Sequence, residues 1–171
     1  GDVFPRITVG SDGFVYVATY GNGNNFYLHK YTSCVNGLTP VAGFPVIVGP
    51  RNAFKCPFPG HDRCDQNPTS QTVIVDDTDP SHVYYSYVVD QETVPVNTSY
   101  SDIVVRDSLD GGLTWNVLGR VARANENIDA RRIMPWLCAT GGDAVVTWYE
   151  QRGAQPTDTT DFYGARVGLD E

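Results

Sequence analysis

At the end of one apolar run the chain reads Trp148-Tyr149-Glu150-Gln151-Arg152, which places aromatic rings, a carboxyl, an amide and a guanidinium side by side. That set could supply parts of a polar pocket. Plain strand alternation is the competing account, with one side buried and the other against a neighbouring sheet. Arg131 and Arg132 form an adjacent cationic pair that is expected just before a strand, pointing toward a rim. With Arg152 they are the candidate ligand-binding arginines, suited to an anionic group; offsetting the acidic surface is the alternative. Asp62, beside Arg63, is the acid to test as a general acid. Asp76, Asp77 and Asp79 crowd one turn, and hard cations such as calcium take oxygen ligands. The glycine and terminal glutamate of a calcium loop are missing, however, and an Asp-Pro turn with solvated carboxylates accounts for the cluster. No metal or cofactor is therefore assigned. His29, His61 and His82 are scattered and give no Ser-His-Asp order.

The elements that must position these groups are strands. The 171 residues suffice for one domain with its own core. Apolar residues make up 41% and charged residues 19%, which argues against disorder. Twenty acids against twelve bases give a net charge of -8 with no basic stripe, so a nucleic-acid partner is not expected. No stretch approaches the ~18 uninterrupted apolar residues of a membrane-spanning helix. Ten Tyr, seventeen Gly and eleven Pro, against two Lys, four Glu and one Met, describe pleated strands punctuated by turns.

Three apolar runs superimpose: Phe14-Val15-Tyr16-Val17-Ala18-Thr19-Tyr20, His82-Val83-Tyr84-Tyr85-Ser86-Tyr87-Val88 and Ala144-Val145-Val146-Thr147-Trp148-Tyr149-Glu150. Each follows a turn and a shorter strand (6–9, 72–75 and 136–139), and each precedes a third strand (26–31, 103–107 and 162–167). A repeat of strand-turn-strand units without intervening helices suits a β-propeller of four-stranded antiparallel blades. The expected division is blade 1 over about 4–48, a connection over 49–70, blade 2 over about 71–121, and an incomplete blade 3 over about 132–171. An ordinary β-sandwich is the alternative. Two blades and most of a third leave sheet faces and edges open. The expected partners are thus the remaining blades of a longer chain, or other copies of this one.

Cys56 and Cys64 bracket a proline-rich loop and are the expected disulfide. Cys34 and Cys138 are left open: paired with each other, reduced, or paired elsewhere. Asn97-Thr98-Ser99 is a possible glycosylation acceptor, and with the disulfide it points to an exported, extracellular or cell-surface protein.

The sharpest motif is Ser108-Leu109-Asp110-Gly111-Gly112-Leu113-Thr114-Trp115, of the form Ser-x-Asp-x-Gly-x-Thr-Trp. Ser and Asp oxygens can close a tight turn on backbone N–H groups, glycine permits positive φ, and Trp plugs the space beneath. A worn copy, Ser33-Cys34-Val35-Asn36-Gly37-Leu38-Thr39-Pro40, stands in the same register of the first unit. The motif resembles the Asp-box, or bacterial neuraminidase repeat, of the sialidase-like propellers. The resemblance implies a structural role for Ser108, Asp110, Gly112, Thr114 and Trp115, on a turn facing away from any ligand. It implies a functional face made by the segments 21–25, 49–70, 90–101, 119–131 and 151–160. Sialidases of that family carry an arginine triad for a substrate carboxylate, a Tyr–Glu nucleophile pair and an acid/base Asp. Arg6, Asp62, Tyr149 and Glu150 are the catalytic candidates here, although Pro5 precedes Arg6 where the family has Pro two places after Arg. The leading expectation is binding of a glycan or extracellular polymer through aromatic and arginine side chains. A sialidase-like glycoside hydrolase with catalytic groups outside these residues is one alternative. A structural or adhesive module of an extracellular assembly is another.

Overall fold

The computed structural model describes residues 3–21, 25–33, 35, 37–50, 71–90, 101–120, 130–152 and 160–167. Eleven strands are formed among them, and no helix. The first sheet is β1 (Val3–Val9), β2 (Val15–Gly21), β3 (Asn25–Tyr31) and β4 (Val46–Pro50), paired in that order. The second is β5 (Thr72–Val75), β6 (Val83–Asp90), β7 (Ser101–Ser108) and β8 (Asn116–Arg120), again in chain order. In the third, β9 (Ala130–Thr140), β10 (Asp143–Arg152) and β11 (Thr160–Val167) pair with β10 in the middle. Every pairing is antiparallel.

The sheets stack face to face, and the second lies between the other two. One core joins Tyr16, Ala18, Tyr20, Phe26, Leu28 and Val48 of the first sheet to Val73, Val75, Tyr85, Tyr87, Val89 and Val104 of the second. The other joins Tyr84, Val88, Ile103 and Val105 to Leu137, Ala139, Ala144, Val146 and Trp148 of the third. This explains why β6 reads as an almost unbroken apolar run: successive side chains point to opposite faces, and both faces are covered. The leading strands meet as well, with β5 lying against β1 on one side and β9 on the other.

The third sheet corrects one boundary. Its first strand begins at Ala130 and not at 136, so Arg131 and Arg132 belong to the strand. Within this strand Pro135 removes a ladder donor. It is tolerated because the register slips there: Thr147 faces Trp136, but Tyr149 faces Ile133. Met134, at φ 54°, takes up the extra residue of this bulge.

The 108–115 turn is closed by its own side chains. Ser108 Oγ accepts the Gly112 N–H at 2.8 Å and donates to Asp110 at 2.7 Å. Asp110 accepts the Leu113 and Thr114 N–H groups, both at 2.9 Å, and the Thr114 hydroxyl at 2.6 Å. Trp115 Nε1 donates to the Gly112 carbonyl at 3.1 Å, and its ring meets Tyr85 edge-on at 5.8 Å. The turn leans on the first sheet. Gly112, at φ +97°, has no room for a side chain, since a Cβ would stand 2.5 Å from Leu28 Cδ2. Lys30 Nζ reaches toward the Gly111 carbonyl at 3.4 Å and lies 4.6 Å from the ring centroids of both Phe14 and Tyr16. Burial pulls its pKa down against the opposing pull of Asp12.

Two predictions follow from these turns. Gly112→Ala combines backbone strain with the Leu28 clash and should cost about 1–3 kcal/mol in urea denaturation. Gly141→Ala, at φ +63° with open space around it, carries the strain alone and should cost less. Acid should also weaken the fold. Burial pushes the Asp76 and Asp110 carboxyls up, but donated hydrogen bonds outweigh it and hold both at about 2. Their unfolded value lies near ~3.9, so their stabilisation is full above about pH 4 and is lost as pH falls toward 2. Thermal midpoints measured from pH 6 to 2 should show a shallower decline in Asp76→Asn than in the parent chain.

Candidate functional site

A buried polar cluster lies between the second and third sheets, at the end where β7 and β9 begin and β10 finishes. Arg132 is its centre. Its Nη1 donates to Asp102 Oδ1 at 2.7 Å and its Nε to Glu150 Oε2 at 2.9 Å. Trp148 Nε1 donates to the same Glu150 oxygen at 3.1 Å. All four side chains are buried. Ser101 fixes the backbone of Arg132 from across the seam, its hydroxyl donating to the Arg132 carbonyl at 2.7 Å and accepting the Arg132 N–H at 2.8 Å.

Local sequence explains the convergence. Glu150 and Trp148 are two apart on β10 and share its inward face, and Arg132 stands opposite Glu150 in the register. Without the bulge at Met134, Arg132 would fall on the outer face with Trp136; the extra residue turns it inward. Asp102 and Ser101 arrive from the start of β7. Within the cluster one guanidinium bridges two carboxylates, an arrangement that holds each carboxylate in a fixed orientation.

The sequence candidates are distributed differently from the expectation. Arg132 does not point to a rim: it is buried and engaged by two carboxylates. Glu150 joins it, but Tyr149 does not, because alternation turns it to the opposite face, where it is 44% exposed and packs edge-on against Phe162 at 5.5 Å. Tyr149 and Glu150 therefore share no site. Arg6 lies on the first sheet, exposed, with its guanidinium carbon 5.9 Å from the centroid of the Trp136 ring. The backbones of Arg131 and Arg152 pair with Gln151 and Ala130. Asp62, Cys56, Cys64, Cys34 and Asn97 lie outside the described residues, as do most of the segments expected to form the functional face. Cys138 is a free, exposed thiol.

The aspartate turn is also not what its composition suggested. Asp76 is buried and not solvated. It accepts from the Thr78 N–H and hydroxyl, the Asp79 N–H, and the Gly141 and Gly142 N–H groups of the next sheet. It is a cross-sheet anchor. Among the described residues no group of three His, Cys, Asp or Glu side chains is placed to hold a metal ion. Asp102 and Ser101 were missed by sequence reasoning; nothing in the chain marks them until the seam between sheets is known.

No protein-family model and no curated protein matches the chain. Solved structures do. The α-L-arabinofuranosidase Arb93A from Fusarium graminearum, in complex with an iminosugar inhibitor, is 14% identical, with a TM-score of 0.58 over 97% of this chain and 45% of that one. A point mutant of the same enzyme gives 14% and 0.57 over the same shares. A GH43_12 protein retrieved from a capybara gut metagenome is 13% identical, with a TM-score of 0.52 over 96% of this chain and 28% of that one. The likeness is one of fold. This chain spans less than half the length of each of these structures.

Arg132→Ala should cost about 3–5 kcal/mol in urea denaturation, because it removes the guanidinium that bridges two buried carboxylates. A double-mutant cycle with Glu150→Gln should show strong coupling between the two positions; additive effects would mean that the pair is not an energetic unit.

Proposed function

We propose that this chain is part of a β-propeller that handles carbohydrate, with its ligand face at the end of the sheets where Arg132, Asp102 and Glu150 meet. The observation that carries the reading is the fold likeness over 96–97% of the chain to structures described as an arabinofuranosidase and a GH43_12 protein. In this reading the three sheets are consecutive blades, the third beginning at Ala130, and the buried arginine holds two carboxylates in place at that end of the sheets. The ligand is a glycan or extracellular polymer, and the setting is extracellular.

A hydrolase is the second reading, favoured by one feature: two acidic side chains share one buried guanidinium at the loop-rich end. Glycoside hydrolysis commonly needs a pair of carboxyl groups. The sialidase form of this reading rests on the 108–115 turn alone. The exposed Met134, Trp136, Tyr149 and Phe162 on the outer face of the third sheet support further blades, from more chain or from another copy, in the complete assembly.

The test is calorimetric titration with arabino-oligosaccharides and sialylated oligosaccharides, run beside turnover of the matching fluorogenic glycosides. Saturable binding without turnover is expected. Turnover that falls at least a hundredfold in a folded Glu150→Gln variant would replace binding with hydrolysis. A monodisperse sample that neither binds nor turns over any member of the panel would overturn both.

A further inference from the structure

The two end sheets each leave one face uncovered, and the two faces differ. On the third sheet the side chains that alternate with the buried ones include Trp136, Val145, Tyr149 and Phe162, all exposed. On the first sheet they include Ile7, Val9, Val17 and Ile47, of which only Val17 is partly covered. Strand pairing shows what each face is built like. Tyr149 pairs with Phe162 as Val88 pairs with Ile103, and Val88 and Ile103 are side chains that the second sheet packs on the third. Val17 pairs with Ile7 as Tyr85 pairs with Val73, and Tyr85 and Val73 are side chains that the second sheet packs on the first. The open faces are thus the two halves of one more seam. Large rings stand on one half and short branched side chains on the other.

The stack is also a wedge. β5 lies against both β1 and β9, while among the described residues the trailing strands β4, β8 and β11 make no comparable approach to one another. The guanidinium of Arg6 on β1 reaches past the second sheet to the Trp136 ring on β9, 5.9 Å from its centroid. Sheets that converge on their first strands and spread at their last curve round an axis.

We infer that two copies of this chain close a ring about that axis, the open face of each third sheet packing on the open face of the other copy's first sheet. The inference rests on the propeller reading above and names the partner that completes it. A head-to-tail contact makes a closed ring when its rotation closes and an endless stack when it does not, and the wedge supplies the rotation. Size agrees: this chain matches 45% of the arabinofuranosidase chain, so two copies come to 90% of that length. Exposed apolar faces of this kind mark contacts between proteins. Cys138, exposed and opposite Val145 in the register, lies in the contact.

The experiment is light scattering after size exclusion, over a hundredfold range of chain concentration. The expected mass is about twice the 18.8 kDa of one chain. Ile7→Asp and Phe162→Asp stand at positions 66% and 64% exposed, where the single chain tolerates charge, and each should weaken the dimer at least a hundredfold. An equimolar mixture of the two variants should recover part of it, because one contact of the mixed pair joins two unaltered faces. Cys138 gives a readout in the unsubstituted chain: its alkylation, located by peptide mapping, should slow as concentration rises. A monomer at every concentration overturns the proposal, since the faces then belong to other sheets. So does a dimer weakened by only one of the substitutions or by neither, and so does a series of masses that keeps growing. The ring and the carbohydrate reading fail separately, because no sugar is used: a dimer that binds no glycan keeps the ring, and a monomer that binds one loses it.

Discussion

A β-sheet with two apolar faces cannot stand alone in water, and every other feature of this chain answers that constraint. The second sheet is covered on both sides, and its strand β6 buries Tyr84 and Val88 in one direction and Tyr85, Tyr87 and Val89 in the other. The two seams are therefore the structural units that matter, more than the sheets themselves. Burial of aromatic and β-branched side chains supplies most of the stabilisation in each seam. It does not fix how far one sheet slides over the next, since apolar contact is non-directional.

Polar groups set that alignment. In the seam between the second and third sheets they stand at both ends. Ser101 and the Arg132 network act at one end, and Asp76 with Tyr84 grips the Gly141–Gly142 turn at the other. Each bond crosses from one sheet to the next, so sliding breaks several at once. The arginine cluster stands at the end of the seam where β7 and β9 begin and β10 finishes. A carboxylate pair held by a rigid, pre-organised guanidinium is the kind of support that functional geometry requires.

Much of this architecture was legible in the sequence. The apolar runs at 14–20, 82–88 and 144–150 predicted the middle strands nearly to the residue, because alternation of period two depends on local pattern alone. The turn chemistry of Ser108, Asp110 and Thr114 was legible for the same reason: its bonds join residues four positions apart or fewer. What could not be read was anything decided across a seam. Arg132 was expected at a rim because it stands ahead of the apolar stretch 136–139, and only the bulge at Met134 shows which way it faces. Asp76 looked solvated because its decisive partners, Gly141 and Gly142, lie 65 and 66 positions away. Asp102 carried no mark at all.

The lean of the 108–115 turn onto the first sheet has a temporal meaning. Lys30 sits among the rings of Phe14 and Tyr16, and the oxygen it reaches toward, that of Gly111, belongs to a residue made 81 positions later. Leu28 likewise receives its cover from Gly112. During synthesis, then, the first sheet has its strands long before it has its lid, and it waits with an uncovered apolar face while the second is translated. The first sheet and the second are each covered by the sheet that follows. A ribosome that paused near residue 90 would hold out a half-built layer, and that interval is where a chaperone would have the most to bind.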